Sequence, residues 1–131
     1  MAKDFHERCD DNNKTISLFQ IKDRNCIGGF SAAMWHSSSA EMNVYSEDSL
    51  SMLFNLNKNL HYPISDYHYA IKSLPEYGPY FGVLGELTTL EPFNEQQHCR
   101  SNMFNNWGYK VPEDKEKRNM LTSTARVIED G

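Results

Sequence analysis

The stretch that decides the fold is Thr15-Ile16-Ser17-Leu18-Phe19-Gln20-Ile21, then Lys22-Asp23-Arg24-Asn25, then Cys26-Ile27-Gly28-Gly29-Phe30 and on to Trp35. Residues 15–21 are rich in β-branched and aromatic side chains and predict a strand. Ile16 and Leu18 face one way, Phe19 and Ile21 the other, so both sides are apolar and a central strand of a packed sandwich is expected. The four polar residues that follow predict a turn, and residues 26–35 a second strand, so the pair reads as a hairpin. Two glycines inside that second strand carry a stability cost, which marks a bulge or the close approach of another backbone.

Upstream, residues 2–9 suit one short helix with Phe5 and Cys9 on its inner face, broken by Asp10-Asp11-Asn12-Asn13. Downstream, His36-Ser37-Ser38-Ser39 opens a polar surface loop that runs to about residue 48. Leu50, Met52, Phe54 and Leu56 alternate with Ser49, Ser51 and Asn55, which predicts a strand buried on its leucine and methionine side. Asn57-Lys58-Asn59 turns the chain, and residues 67–74 and 80–91 predict two further strands, the second containing Gly82 and Gly85. These two glycines are expected to leave room for a large neighbour, Trp35 or Trp107. Residues 103–111 alternate Met103, Trp107, Tyr109 and Val111 inward, residues 112–121 read as a short helix or loop, and residues 124–129 form the last strand.

The expectation is therefore a mostly-β (α+β) fold, an antiparallel two-sheet β-sandwich with one or two short helices. Its core should hold Leu18, Phe30, Trp35, Met52, Phe54, Ile71, Phe81 and Trp107. A length of 131 residues suits one domain with one core, and an aromatic content of 12% argues against disorder.

Charge excludes one class of partner. A formal net charge of -5 and a pI near 5.5 disfavour nucleic acid, whose binding rests on Lys and Arg neutralising phosphates. The one basic run, Lys115-Glu116-Lys117-Arg118, is flanked by Glu113 and Asp114 and reads as a solvated stretch. No window approaches the ~18 apolar residues that a membrane-crossing helix needs. Residues 1–10 carry Asp4, His6, Glu7, Arg8 and Asp10 and do not form a signal peptide. Cys9, Cys26 and Cys99 are then expected as reduced thiols in the cytoplasm.

Three segments in this order resemble the TLDc family. Residues 16–35 contain the glycine pair Gly28-Gly29 and end in Trp35. Ser51-Met52-Leu53-Phe54-Asn55-Leu56 follows, then Tyr62-Pro63-Ile64 and Tyr69-Ala70-Ile71. Last come Tyr77-Gly78-Pro79-Tyr80-Phe81-Gly82 and Asn106-Trp107-Gly108-Tyr109. The family-motif positions are Gly28, Gly29, Trp35, Tyr77, Gly78, Pro79, Phe81, Gly82 and Gly108. Val83-Leu84-Gly85-Glu86 departs from the further glycines that such domains carry at that place. The resemblance implies a single domain over residues 1–131 that lacks the family's closing strand. It also implies a protein–protein role, with no cofactor: regulation of the vacuolar-type proton pump through its cytosolic subunits, and a link to protection against oxidative damage.

Chemistry-bearing residues are sparse. His6 and Cys9 have an H-x-x-C spacing, and His98-Cys99 could add ligands only if that segment were a loop, because neighbours on a strand face opposite ways. A surface histidine and a small buried thiol is the plainer reading of His6 and Cys9. No recognisable nucleophile signature surrounds Cys26 or Cys99, so a cysteine-based redox enzyme is the weakest alternative, and Cys26 reads as a packed hydrophobe. Glu76, Glu86 and Glu91 flank the glycine-proline turn and are expected to be solvated or to cap turns. No catalytic, cofactor-binding or metal residue is assigned. The competing role is a structural subunit of a cytoskeletal or ciliary assembly. Asp130-Gly131 is a hairpin turn signal with no strand after it, so the edge at Val127 and Ile128 is expected to be bare and open to a partner.

Overall fold

Strands β1 (Thr15–Gln20) and β2 (Cys26–Ser31) pair antiparallel in the computed structural model, in unbroken register from Thr15↔Ser31 to Gln20↔Cys26. The structure describes residues 2–20, 26–37, 45–75, 77–82, 85–89, 98–100, 108–110 and 127–129. Before the hairpin, helix α1 (Ala2–Cys9) ends where Asp11 takes a left-handed φ of 65°, a conformation that aspartate tolerates better than most residues. After it come the short β3 (Tyr45–Ser46), β4 (Met52–Asn55) and β5 (Leu60–Pro63). The turn between β4 and β5 places Asn59 at φ 54°. Pro63 closes a strand that lies at the sheet edge, where a missing N–H removes no ladder bond.

The four-stranded sheet has the order β1-β2-β4-β5. The second sheet is built from β3, β6 (Ile71–Lys72), β7 (Tyr80–Phe81), β8 (Leu87–Thr89), β9 (His98–Arg100) and β10 (Val127–Glu129). Its order is β10-β9-β8-β7-β6-β3, and every pairing in both sheets is antiparallel. The expected sandwich is there, with two sheets and one short α-helix among the described residues.

Two expected strands divide differently. Residues 67–74 form a 3-10 turn at Tyr67–Tyr69, initiated by Asp66 accepting from the His68 N–H, and only then the two-residue β6. Residues 80–91 do not run straight: Gly82 and Gly85 adopt φ of 87° and 72°, so the chain reverses and β7 pairs with β8 through Phe81↔Leu87. Both glycines take turn conformations, and the side chain beneath Gly82 is Glu86 rather than Trp35; Trp107 lies outside the described residues.

The core forms where Phe19, Ile27, Leu53 and Tyr62 of the four-stranded sheet meet Ile71, Phe81 and Leu87 of the other, with Trp35 and Tyr109 completing the cluster. Trp35, Ile71 and Phe81 are buried as expected, whereas Phe30 and Phe54 are half-buried. Leu18 and Met52 are corrections: they are 60% and 38% exposed. Trp107 lies outside the described residues, and of residues 103–111 only 108–110 are described, with Tyr109 buried and bridged to Ile64. Residues 112–121 also lie outside them.

Register explains the correction. Across the sheet, Ser17, Gly29, Leu53 and Tyr62 form one inward row, and Phe19, Ile27, Asn55 and Leu60 another. The outward rows are Ile16, Phe30, Met52 and Pro63, and Leu18, Gly28, Phe54 and His61. Side chains alternate along each strand, so once Ile27 and Gly29 face the core, Leu53 must follow them and Met52 must face out. The alternation of Leu50, Met52, Phe54 and Leu56 is real, but it marks the outer side.

Candidate functional site

Of the family-motif positions, Gly29, Trp35, Gly78, Phe81, Gly82 and Gly108 are buried, Tyr77 and Pro79 are half-buried, and Gly28 lies on the outward side of β2. Gly29 lies under the Phe81 ring: a Cβ there would stand 2.5 Å from Phe81 Cζ. Gly28, one residue earlier, faces outward beneath Phe54, whose Cζ would be 2.9 Å from an added Cβ. The β1–β2 and β2–β4 ladders run through both glycines without a bulge; the close approach at Gly28 is by a neighbouring backbone, the Ser17 carbonyl oxygen, with the Phe54 ring beside it, and that at Gly29 is by the Phe81 ring. Phe81 then meets Trp35 edge to face at 5.5 Å, and Trp35 meets Phe5 of α1 at 5.2 Å. Trp35 Nε1 donates to Thr15 Oγ1 at 2.9 Å, which satisfies its buried N–H.

A second knot surrounds Glu86. This carboxylate is buried, and its Oε2 accepts from the N–H groups of Gly108 (2.9 Å) and Tyr109 (2.7 Å). An added Cβ at Gly82 would lie 2.2 Å from Glu86 Oε1, and one at Gly108 would lie 3.0 Å from Gly82 Cα. Both glycines are therefore required by the seat of one carboxylate. The Tyr109 hydroxyl donates to the Ala70 carbonyl at 2.7 Å and meets Ser51 Oγ at 2.9 Å. Burial, opposed by the Ser51 hydrogen bond and reinforced by the charges of Glu86 and Asp48, pushes the Tyr109 phenol far above its ordinary range. The expectation of a solvated Glu86 is overturned, and the hydrogen bonds of its Oε2 run to backbone 22 and 23 positions further along the chain. Glu76 and Glu91 lie outside the described residues.

His6 is another correction, because it is buried rather than on the surface. Its Nε2 donates toward the carbonyls of Leu74 and Tyr77, each at 2.8 Å, and its Nδ1 pairs with Asp10 Oδ1 at 2.7 Å. The imidazole thereby ties α1 to the strap that carries Tyr77, the buried Gly78 and Pro79. With both ring nitrogens engaged, it presents neither to a metal beside Cys9. Burial raises the Cys9 thiol above its ordinary range, with Asp10 adding and Arg8 opposing. That direction disfavours a thiolate nucleophile. Cys26 sits half-buried on an outward position of β2 rather than in the core. His98 and Cys99 are consecutive on β9, so the loop needed for them to share a metal is not formed. Among the described residues no group of three or more His, Cys, Asp or Glu is placed to hold a metal ion.

Sequence reasoning gave no role to Asp48. Its Oδ2 accepts from the N–H groups of Ala32 (2.6 Å) and Ala33 (3.1 Å), and its Oδ1 from that of Leu50 (2.9 Å). An aspartate two residues before Leu50 is a local turn signal, but its partners at 32 and 33 are visible only in three dimensions.

What remains open to a partner is surface. The outer face of the four-stranded sheet carries Ile16 at 62%, Leu18 at 60% and Met52 at 38% exposure, with half-buried Phe30 and Phe54 between them. An apolar face of this kind on a folded domain marks an interaction site more often than chance. Val127 and Ile128 lie on β10, which ends the six-stranded sheet and pairs with β9 through Val127↔Arg100 and Ile128↔Cys99. Among the described residues no helix is long and apolar enough to cross a membrane.

The family model of the TLDc domain matches residues 1–115, and the chain belongs to that family. No curated protein and no solved structure matches it.

Proposed function

We propose that this TLDc domain is a non-catalytic protein–protein interaction module acting in the cytoplasm. In this reading it regulates or decorates a large assembly, the vacuolar-type proton pump, and so contributes to protection against oxidative damage. The observation that carries the interaction role is the outer face of the four-stranded sheet, where Ile16, Leu18 and Met52 stand in solvent beside half-buried Phe30 and Phe54. The motif residues support it by a different route: they brace the two sheets and α1, and leave recognition to faces and loops.

The test is affinity capture from the native cell with the wild-type chain and with an Ile16→Lys, Met52→Glu variant, which changes only exposed positions. Pump subunits retained by the wild type and lost by the variant are the expected result. Capture of cytoskeletal or ciliary proteins instead would assign the domain to that assembly. Peroxide- or disulfide-reducing activity that disappears with Cys9→Ser or Cys26→Ser would overturn the non-catalytic reading.

A further inference from the structure

The four-stranded sheet ends on β1, and the direction of each β1 backbone group follows from the far side of β2. The Cys26 carbonyl accepts from the Leu56 N–H at 2.9 Å, so Cys26 directs its backbone groups toward β4. Backbone direction alternates along a strand, so Ile27, Gly29 and Ser31 point the other way, toward β1. Their register partners Phe19, Ser17 and Thr15 therefore exchange bonds with β2. Ile16, Leu18 and Gln20 are left with N–H and C=O groups directed off the edge of the sheet. No backbone hydrogen bond joins residues 15–20 to any described segment other than β2.

The opposite edge of this sheet differs. There β5 ends in Pro63, whose carbonyl accepts from the Lys110 N–H at 2.9 Å, and the next residue, Ile64, is bridged to Tyr109. By contrast β1 has none of the devices that keep an edge from pairing: Thr15–Gln20 holds no proline and no charge, and its ladder has no bulge. Ile16 and Leu18 stand on its outward face at 62% and 60% exposure.

We propose that β1 pairs antiparallel with β1 of a second copy of this chain, about a two-fold axis through Leu18, joining two four-stranded sheets into one. Leu18 then faces the same residue of the other copy, and Ile16 faces Gln20. In this register the N–H and C=O of Ile16, Leu18 and Gln20 all find partners. Moving the axis to Ser17 or Phe19 would set Gln20 or Ile16 opposite a position outside β1. An axis between two residues would oppose side chains of unlike face, which antiparallel pairing does not allow. A second copy is the favoured occupant because the strand answers itself in length and facing. An acidic chain of net charge -5 also meets its copy along an uncharged strand without setting like charges together. Lys14, the charge next to the strand, leaves its line at a φ of 54°. Such pairing uses both edges and stops at two copies. The inference goes beyond the partner reading of the outer face, since it concerns the edge. A strand edge is a small interface, so the dimer should form and dissociate with concentration.

The experiment combines sedimentation of the full chain over a concentration series with amide hydrogen exchange at the two ends of that series. The mass is expected to move from 15.2 kDa toward twice that value as concentration rises. Amides of Ser17 and Phe19 should be protected throughout, whereas those of Ile16, Leu18 and Gln20 should gain protection only in the concentrated sample. Leu18→Lys and Leu18→Glu should each weaken association at least ~tenfold, because the new charge faces its own copy. Mixing the two variants should restore it, while Met52→Glu, two strands away from the edge, should leave it unchanged. A chain that stays monomeric at every concentration would overturn the proposal and leave the edge to a strand of an unlike protein. Association that leaves the amides of Ile16, Leu18 and Gln20 unprotected, or that is lost with Met52→Glu, would overturn it in favour of contact through the outer face. A mixture without rescue would overturn the axis through Leu18. Should the Leu18 variants fail to fold, the exchange pattern of the unaltered chain decides alone.

Discussion

The two faces of the four-stranded sheet invert the usual division of labour. Its outer face carries Ile16, Leu18, Met52, Phe30 and Phe54, while its inner face buries Ser31 and Asn55 beside Phe19, Ile27, Leu53 and Tyr62. The buried polar groups are tolerated because they are bonded: Ser31 Oγ donates to the Ala33 carbonyl at 3.1 Å, and Asn55 Oδ1 accepts from the Lys58 N–H at 3.0 Å. Hydropathy alone does not choose the face. Complementarity to the opposite sheet does, since the Phe81 ring needs a glycine beneath it and only position 29 supplies one on the inward side.

The widest gap between the faces should appear in stability. Leu53→Ala is expected to cost about 2–4 kcal/mol, because it opens a cavity at a fully buried site. Met52→Ala, one residue away but outward, should cost at most about 1 kcal/mol. Urea denaturation of the two variants measures both. Equal losses would mean that the outer face is covered in the folded chain, and the contrast would collapse.

The glycine pair sharpens the comparison. Gly29→Ala should lose about 1–3 kcal/mol through its clash with Phe81. Phe81→Leu in the same chain should recover part of that loss, giving a coupling of at least ~0.5 kcal/mol in a double-mutant cycle. Gly28→Ala meets the Ser17 carbonyl oxygen at 2.1 Å as well as the Phe54 ring, so trimming Phe54 cannot relieve it. If Phe54→Leu rescues Gly28→Ala as well as Phe81→Leu rescues Gly29→Ala, the Phe54 ring rather than the Ser17 carbonyl is what holds Gly28 small.

Alkaline pH probes the inner face without a cavity. Burial pushes the Tyr62 phenol up to about 12, against ~10 when unfolded. A raised folded value means that the native state holds the proton more tightly. The contribution is therefore complete below ~10 and is lost as pH rises from there toward about 12. Tyr109, pushed up further by burial, acts in the same direction. Stability followed by denaturation across this window should fall steeply in the wild type and less steeply in Tyr62→Phe. Identical slopes would place the lost protons elsewhere.

How much of this was legible follows from where each signal resides. The β1–β2 hairpin, α1 and the turn at 56–59 are written locally, in β-branched runs, a helical spacing and an Asn-Lys-Asn turn, and the structure has all three. The sidedness of β4 is not local, because strict alternation looks the same from either face until a partner sheet is known. Strands of two residues, such as β6 and β7, are too short to show a period. The Glu86 seat joins groups 22 and 23 positions apart, so its burial could not be read from its neighbours in sequence. The glycines at 82 and 108 stand out as motif positions, yet the carboxylate seated between them reads from sequence only as a solvated or turn-capping group.

The smallest effect is the one that decides what the outer face is for. Ile16→Ser and Leu18→Ser replace side chains that are about three-fifths exposed. Each should change unfolding stability by no more than ~0.5 kcal/mol, as ordinary surface substitutions do. Serine also keeps the β1–β2 backbone ladder, so the hairpin register should persist. The same variants should nonetheless lower binding of a hydrophobic dye and reduce self-association in sedimentation, since both respond to contiguous apolar surface. A face that loses dye binding without losing stability behaves as an interface awaiting a partner. A loss of more than ~1 kcal/mol in either variant would instead make the outer row part of the fold's own packing. Partner capture would then have to be traced to a surface other than this sheet.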